Sequence, residues 1–440
     1  MLAPTSPSRT APRVGLGLFS VGLARRPDRR PEHLKAKILI VGGGAMGTCI
    51  ALAAARRCDP LREPVVLLEK ERLGAGSSGR SSAILHQAYG DRALAGMARD
   101  ALKNYSGLQS TTGRSVGYRR TGALILAGPA GSETARRLEQ EVAMQSQIAI
   151  DVQLVGAEEI RALVPGIEVA SDEIGSWQPA GGFVDPARAI DIFAKLARSE
   201  GAVTRIGIDE PRILVEDGRV TGVESAAGTF QAPNVALTAG PWTPGILERL
   251  GARLPLTVVK TQECFLRMPS PEVAEEDEAD GEGGEFETRF VPDPLDTMPV
   301  AHPVLVDLAH GFLARCEPGA ARTRIAELDA EPMALESPEA LPREVTPELP
   351  DWVRTVVARR LPIYHDLELL GSHTSWATLT PDRKPVAGPV PGVEGLFVVA
   401  GTTGNDFQLA PSIGEGLAQM ILGQPVSAFD TEFLSPSRFA

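Results

Sequence analysis

Three glycines, a carboxylate and a hydroxyl-rich loop are the parts of this chain whose types and spacing can do chemistry. In "KAKILIVGGGAMGTCIALAAARR" the glycines Gly42, Gly44 and Gly47 form a G-x-G-x-x-G pattern, with Ala45 and Met46 between the last two. The first suits a tight turn, the second lets backbone approach a pyrophosphate, and the third lets a helix lie close on a strand. Glu69, followed by Lys70, ends the next apolar run, where an acid can accept from a ribose diol. Directly after it comes "GAGSSGRSSAILHQAYGD", residues 74–91, which packs glycines and hydroxyls together and then delivers His86 and Tyr89. Ser77, Ser78, Gly79, Arg80, Ser81 and Ser82 offer amides and hydroxyls suited to a phosphate or a ring edge.

These groups need elements to hold them. The β-branched run 38–41 predicts a strand, the alanine-rich pattern 45–57 a helix, and "PVVLLEK" a second strand ending on Glu69. Strand, glycine turn, helix, strand and acid in that order define a dinucleotide half-site, which NAD and FAD share. Elsewhere, short alternating runs such as "GALILAG" and "GFLARCEPG" predict antiparallel strands, and 132–147 predicts an amphipathic helix. The expected fold class is α/β, with a Rossmann-like domain and a mixed antiparallel sheet.

From the loop onward the chain resembles the D-amino-acid oxidase superfamily of FAD enzymes, over residues 37 to about 433. "SSGRSSA" is similar to the S-T-G-R-S loop of D-amino-acid dehydrogenases, and "GSS…AYGD" to a loop of monomeric sarcosine oxidases. "GGFVDPARAIDIFAKLARSEGAVTRI" resembles the G-x-[VI]-D-P segment, and "NVALTAGPWTPGIL", with Ala239 and Gly240, the turn that closes the FAD domain. "TLTPDRKPVAGPVPGVEGLFVVAGTTGNDFQLAPSIGEGLAQMI" resembles the block that meets the flavin. There Gly401, Gly404, Asn405, Phe407 and Gln408 follow a strand, and 410–421 opens a helix with its amides toward the flavin's polar edge.

The resemblance implies that the two are interwoven: a GR2-type FAD domain made of residues 35–90, 173–253 and 369–440, and a substrate domain, formed by the mixed antiparallel sheet, made of 91–172 and 254–368. It implies oxidation of the C–N bond of an amino acid or of a secondary or tertiary amine, by hydride transfer to flavin N5. A 2-hydroxy-acid dehydrogenase, or a flavoprotein acting as an assembly or interaction factor, are the alternatives. Where sarcosine oxidases grip a carboxylate with arginine and lysine, this chain has His86 and Gln408; Tyr89 matches a tyrosine of the relatives. Arg315, Arg322 and Arg324 are further candidates for the carboxylate, with Lys260, His373 and Trp376 near the pocket. Cys316 is the one cysteine near the position that forms a flavin thioether in sarcosine oxidases, but it is offset, so FAD bound without a covalent link is expected. The electron acceptor stays open among oxygen, a quinone and an electron-transfer protein.

Composition narrows the classes. With 44 basic and 56 acidic side chains in 440 residues the net charge is −12, which argues against a nucleic-acid binder. Cys49, Cys58, Cys264 and Cys316 lack metal-ligand spacing, so no metal site is expected. The first 34 residues hold six arginines and two acids, and their apolar run 14–23 is too short to cross a bilayer. A mitochondrial or plastid transit peptide, a disordered tail and an early start are the readings; without a transit peptide the expected location is cytoplasmic. Residues 271–287 hold nine acids and no base, which predicts a solvated insertion in the substrate domain.

Overall fold

The computed structural model describes residues 32–270, 297–328, 331–404 and 406–439. The acidic insertion, Asn405 and the expected presequence up to residue 31 lie outside them. Residues 32–34 do not belong to a tail: strand Glu32–Lys35 pairs in parallel with Gly228–Gln231.

The dinucleotide half is a six-stranded sheet. Strand Ile38–Val41 is central, flanked by Val65–Glu69 and then Val203–Ile206 on one side, and by Asn234–Leu237 and Leu396–Ala400 on the other. These run parallel, and Val386–Pro389 closes one edge antiparallel. Residue alternation explains why both faces are buried. Ile38, Ile40, Val65 and Leu67 meet the helices, whereas Leu39, Val41, Val66 and Leu68 meet a small sheet through Ile213, Val220, Val223 and Phe230.

Helix Ala45–Ala55 is buried at every residue, consistent with its lack of a polar face. It lies between the sheet and helix Asp406–Ile421, whose Gly414 admits Cys49 so closely that an added Cβ would stand 2.8 Å from its backbone. Pro411 interrupts that second helix and supplies no N–H for the carbonyl of Phe407. The hydroxyl of Tyr105 donates to that carbonyl instead, at 2.8 Å. The Asp185–Pro186 pair explains its own position: Asp185 caps helix Pro186–Ser199 by accepting from Arg188 N–H at 2.7 Å, with proline in the first turn.

The second half is a nine-stranded mixed sheet. It runs from Thr257–Arg267 through Arg322–Glu327, Phe312–Glu317, Val304–Asp307 and Ala123–Pro129 to Glu173–Gln178 and Gln153–Gly156. Strand Leu369–Leu379 pairs with Thr257–Arg267 along its length. Helix Glu133–Gln147 covers one face and helix Leu349–Arg360 the other.

The expected domain boundaries shift accordingly. Residues 173–178 and 369–379, placed in the FAD domain by sequence, are strands of the substrate sheet. Helix Arg92–Thr112, placed in the substrate domain, buries Leu94, Met97, Leu102 and Leu108 in the core of the dinucleotide half. The chain enters the larger sheet twice, over residues 123–178 and 257–379, and returns to the six-stranded sheet each time. Among the described residues no helix is long and apolar enough to cross a membrane.

Candidate active site

At one end of the site the wall is the glycine turn. Gly42 has φ +112°, and a Cβ there would stand 2.4 Å from the carbonyl oxygen of Thr238. At Gly47 a Cβ would stand 1.9 Å from the carbonyl oxygen of Gly42, so only glycine lets the helix meet the turn. Glu69, at the end of the second strand, accepts from Gly43 N–H at 2.7 Å and from Glu71 N–H at 2.9 Å. Its carboxylate therefore ties the turn to the strand as well as facing the site. Ser78, on the 3₁₀ turn Ser77–Arg80, accepts from Ala45 N–H at 3.2 Å and donates to Asp406 at 3.3 Å. Asp406 also accepts from the Thr402 hydroxyl. Burial raises the pKa of Asp406 above the usual carboxylate range, against the two hydroxyl donors.

From this end a cavity of about 1310 Å³ runs to strand Leu369–Leu379 of the substrate sheet. It exceeds the few hundred to about 1,000 Å³ that suits one small ligand. Of the residues expected to hold a cofactor, Gly42, Gly44, Met46, Glu69, Lys70, Ser77, Ser78, Arg80, Ala239, Gly240 and Gly401 line it. Ala45, Gly47, Gly79, Ser81, Ser82, Gly404, Phe407 and Gln408 do not. Ala45 presents its amide to Ser78, and Gly79 allows the turn to close against the carbonyl of Gly74. Ser81 caps Ala83 N–H at 3.0 Å, and the Phe407 ring is in the core. Gln408 sits inside helix Asp406–Ile421, which begins four residues earlier than expected.

The expected catalytic residues divide into two groups, neither of which lines the cavity. His86 lies with its ring 5.8 Å from that of Tyr89, and the Tyr89 hydroxyl donates to Gln408. Burial lowers the His86 pKa to about 4, so the ring is neutral near pH 7 and cannot replace the arginine charge. Its Nδ1 accepts from Ala88 N–H at 3.2 Å, which puts the proton of the neutral ring on Nε2.

The second group is an ion network on adjacent strands. Arg315 and Arg324 both meet Glu317, at 3.0 and 2.9 Å, and Arg322 meets the same carboxylate at 2.6 Å. Arg324 reaches Glu263 as well, and His373 Nε2 lies 3.0 Å from Glu263. Burial would raise the Glu263 carboxyl, yet Arg324 and His373 hold it below its ordinary value; Glu317 is held down in the same way by Arg324 and Arg315. The Arg315 guanidinium lies 4.1 Å over the Phe183 ring, and burial lowers its pKa to about 10, still charged at neutral pH. All three arginines are thus ion-paired, although Arg315 Nε is buried without a hydrogen-bond partner. Lys260 is bonded to the carbonyl of Glu344 at 3.0 Å.

Cys316 lies on the opposite face of its strand from Arg315, in the core with Phe312 and Ala314. It contacts the His302 carbonyl at 3.7 Å and the Thr323 hydroxyl at 3.8 Å. None of the four cysteines lines the cavity. Among the described residues no His, Cys, Asp and Glu cluster is arranged to hold a metal.

His373 and Trp376 do line the cavity, and so do residues that sequence reasoning missed: Asp406, Thr402, Trp242 and the segment 335–343. Trp242 donates to Glu339 at 2.7 Å and Trp376 to the carbonyl of Pro338 at 2.8 Å, which ties that segment to the cavity wall. Asp406 was visible as an acid at the start of the C-terminal helix; nothing in the segment's composition marks it.

A Rossmann-type half, a glycine cradle that any Cβ would fill and a cavity shared with a second sheet define a two-domain dinucleotide-binding protein. The model of the FAD dependent oxidoreductase (DAO) family matches residues 37–420, and the chain belongs to that family. It is 26% identical over 430 residues to the 4-methylaminobutanoate oxidase (formaldehyde-forming) of Paenarthrobacter nicotinovorans, covering 96% of this chain and 47% of that protein. It is 27% identical over 402 residues to the mitochondrial pyruvate dehydrogenase phosphatase regulatory subunit of Mus musculus, covering 89% of this chain and 42% of that one. The chain therefore spans about half the length of these two relatives. The L-proline dehydrogenase structure from P. horikoshii shares the fold, with a TM-score of 0.77 at 22% identity over 93% of this chain and 98% of that one.

Proposed function

We propose that this chain oxidises a C–N bond of an amino acid or of a secondary or tertiary amine to an imine, with FAD held in the cavity and water hydrolysing the product. The observation that carries this reading is the continuity of the cavity: one space of about 1310 Å³ touches both the glycine turn and the substrate sheet.

Gly42, Gly44 and the unpaired amides of the first turn of helix Ala45–Ala55 suit a pyrophosphate, and Glu69 a ribose. Bound FAD supplies the hydride acceptor, so no side-chain nucleophile or paired catalytic carboxylate is required of the protein. The tasks left to the chain are orientation and exclusion of water. Strand Leu369–Leu379 presents His373, Thr374 and Trp376 to the space, and segment 335–343 covers it. Neutral His86, bonded to Ala88 and close to Tyr89, lies behind the cavity lining with its Nε2–H left as a donor.

The test is anaerobic bleaching of the flavin band at about 450 nm by D- and L-amino acids, N-methyl amino acids and 2-hydroxy acids, repeated with oxygen to ask about the acceptor. Bleaching by an amine or amino acid is expected. Bleaching by 2-hydroxy acids alone would move the reaction to a C–O bond. No bleaching by any of them, with FAD firmly bound, would support the second reading, an interaction or assembly factor, which the likeness to a regulatory subunit favours. Purified protein without FAD, indifferent to loss of Gly44, would overturn both.

A further inference from the structure

We infer that the cavity binds its substrate through a carboxylate held by Arg80, so that the molecule oxidised is an amino acid and its anchor lies on the loop after the second strand, not at His86 or Gln408. This rests on the amine-oxidation reading for the reaction, though not for the anion site itself.

The argument is one of occupancy. A substrate carboxylate needs a cation with donors to spare. Arg315, Arg322 and Arg324 already meet Glu317, and Arg324 meets Glu263 too; Arg315 Nε keeps no partner, but none of the three lines the cavity. Gln408 is engaged by Tyr89. Of the arginines and lysines that line the cavity, Lys70, Arg249 and Arg343 are exposed, and Lys70 pairs with Asp209 at 3.2 Å. Arg80 is different: it is half-buried, and among the described residues no carboxylate lies within ion-pair range of it.

Arg80 is also pre-oriented. One N–H donates to the carbonyl of Thr374 at 3.1 Å, and the guanidinium lies 4.5 Å over the ring of Trp376. A guanidinium has five N–H donors, so most remain for a ligand, and stacking on an aromatic face holds the planar fork for two-point recognition. The Trp376 ring is in turn 5.5 Å from that of Trp242, which continues the apolar wall beside the anchor.

Location separates this arginine from the phosphate end. Within the single turn Ser77–Arg80 the two side chains diverge. Ser78 bonds the amide that opens the glycine-turn helix, whereas Arg80 reaches Thr374 and Trp376 on the substrate sheet. The shared chemistry is an oxyanion, either a substrate carboxylate or a cofactor phosphate, and geometry favours the carboxylate.

The test uses the FAD-loaded protein and benzoate, a carboxylate that cannot be oxidised at a C–N bond, with benzamide as its uncharged counterpart; binding is read from the shift of the flavin spectrum. The wild type is expected to bind benzoate and ignore benzamide. R80Q should weaken benzoate about thirtyfold or more with its flavin content unchanged, and R80K should recover part of the loss. W376L, which removes the stacking surface together with the N–H bonded to the Pro338 carbonyl, should weaken benzoate several-fold. Loss of FAD from an R80Q protein with native circular dichroism would assign Arg80 to the pyrophosphate and overturn the inference. Should R80Q fail to fold, wild-type benzoate affinity in both R80K and W376L would overturn it. A wild type that is bleached by amines but does not respond to benzoate would overturn it alone. A wild type bleached by nothing overturns the amine reading, and the benzoate titration still decides whether Arg80 is the anion site.

Discussion

At the glycine-turn end of the cavity the wall is mostly backbone, with contacts set by the absence of side chains at Gly42 and Gly47 and by amides aimed from a helix start. At the sheet end it is side chains, and their neighbours come from strands far apart in the chain: Arg80 against Thr374 and Trp376 in the wall, and behind it Glu263, which pairs with Arg324 and backs His373. The first end tolerates no added atom. The second is a balance of charges in which each partner's value depends on the others. A phosphate-binding turn can therefore stay fixed while the substrate end changes by re-pairing.

The largest effect should come from adding one carbon to the turn. Alanine is normally the better helix former by about 1 kcal/mol, so Gly47→Ala would stabilise an ordinary helix. Here the Cβ would stand 1.9 Å from the carbonyl oxygen of Gly42, and the helix must shift away from the strand. The expected outcome is destabilisation of more than about 3 kcal/mol with loss of bound FAD, read by denaturant unfolding and by flavin absorbance after gel filtration. Normal FAD retention would show that the turn is not as tight as the comparison holds.

Arg324→Met tests the other end. It strips Glu263 and Glu317 of their shared cation, leaving buried carboxylates with His373, Arg315 and Arg322 as the remaining partners. Destabilisation of about 3 kcal/mol is expected, yet FAD should stay bound, because Arg324 contacts no part of the glycine turn and reaches the cofactor loop only through the carbonyl of Arg80, at 2.7 Å. A double substitution, Arg324→Met with Glu263→Gln, should recover part of the loss. If the single variant released FAD as Gly47→Ala does, the two ends would be one cooperative unit.

The same contrast explains what the residues disclosed before any coordinates. Gly42, Gly44, Gly47 and Glu69 act through spacing within 30 or so residues of chain, and the run of strand, turn, helix and strand follows from local pattern alone. The amphipathic helix expected over 132–147, which forms as Glu133–Gln147, was legible for the same reason. The substrate end was not. Whether Arg315 is free or paired depends on Glu317 two residues away and on Arg322 and Arg324 across a strand pair, and register sets that. The domain boundaries failed similarly: strands 173–178 and 369–379 look like any others, and only their pairing partners assign them to the substrate sheet.

The smallest effect tests where His86 belongs in this comparison. By sequence it follows the cofactor loop and stands where relatives carry a charge; in the fold its ring is partly buried beside Tyr89. Burial lowers its pKa to about 4, so between that value and the ordinary 6.5 the unfolded chain takes up a proton that the folded chain refuses. Stability should therefore fall as pH drops through this window, with the penalty beginning near pH 6.5 and levelling off below about pH 4. With allowance for the ring's partial exposure, the share due to His86 at pH 5.5 is about 1 kcal/mol. Urea unfolding of the wild type and His86→Gln between pH 7 and pH 4.5 isolates it, since glutamine does not titrate and other groups cancel in the difference. The variant should lose less stability on acidification than the wild type. An opposite sign, the wild type gaining on the variant as pH falls, would mean that the folded protein stabilises the imidazolium, and would put a cation at His86 after all.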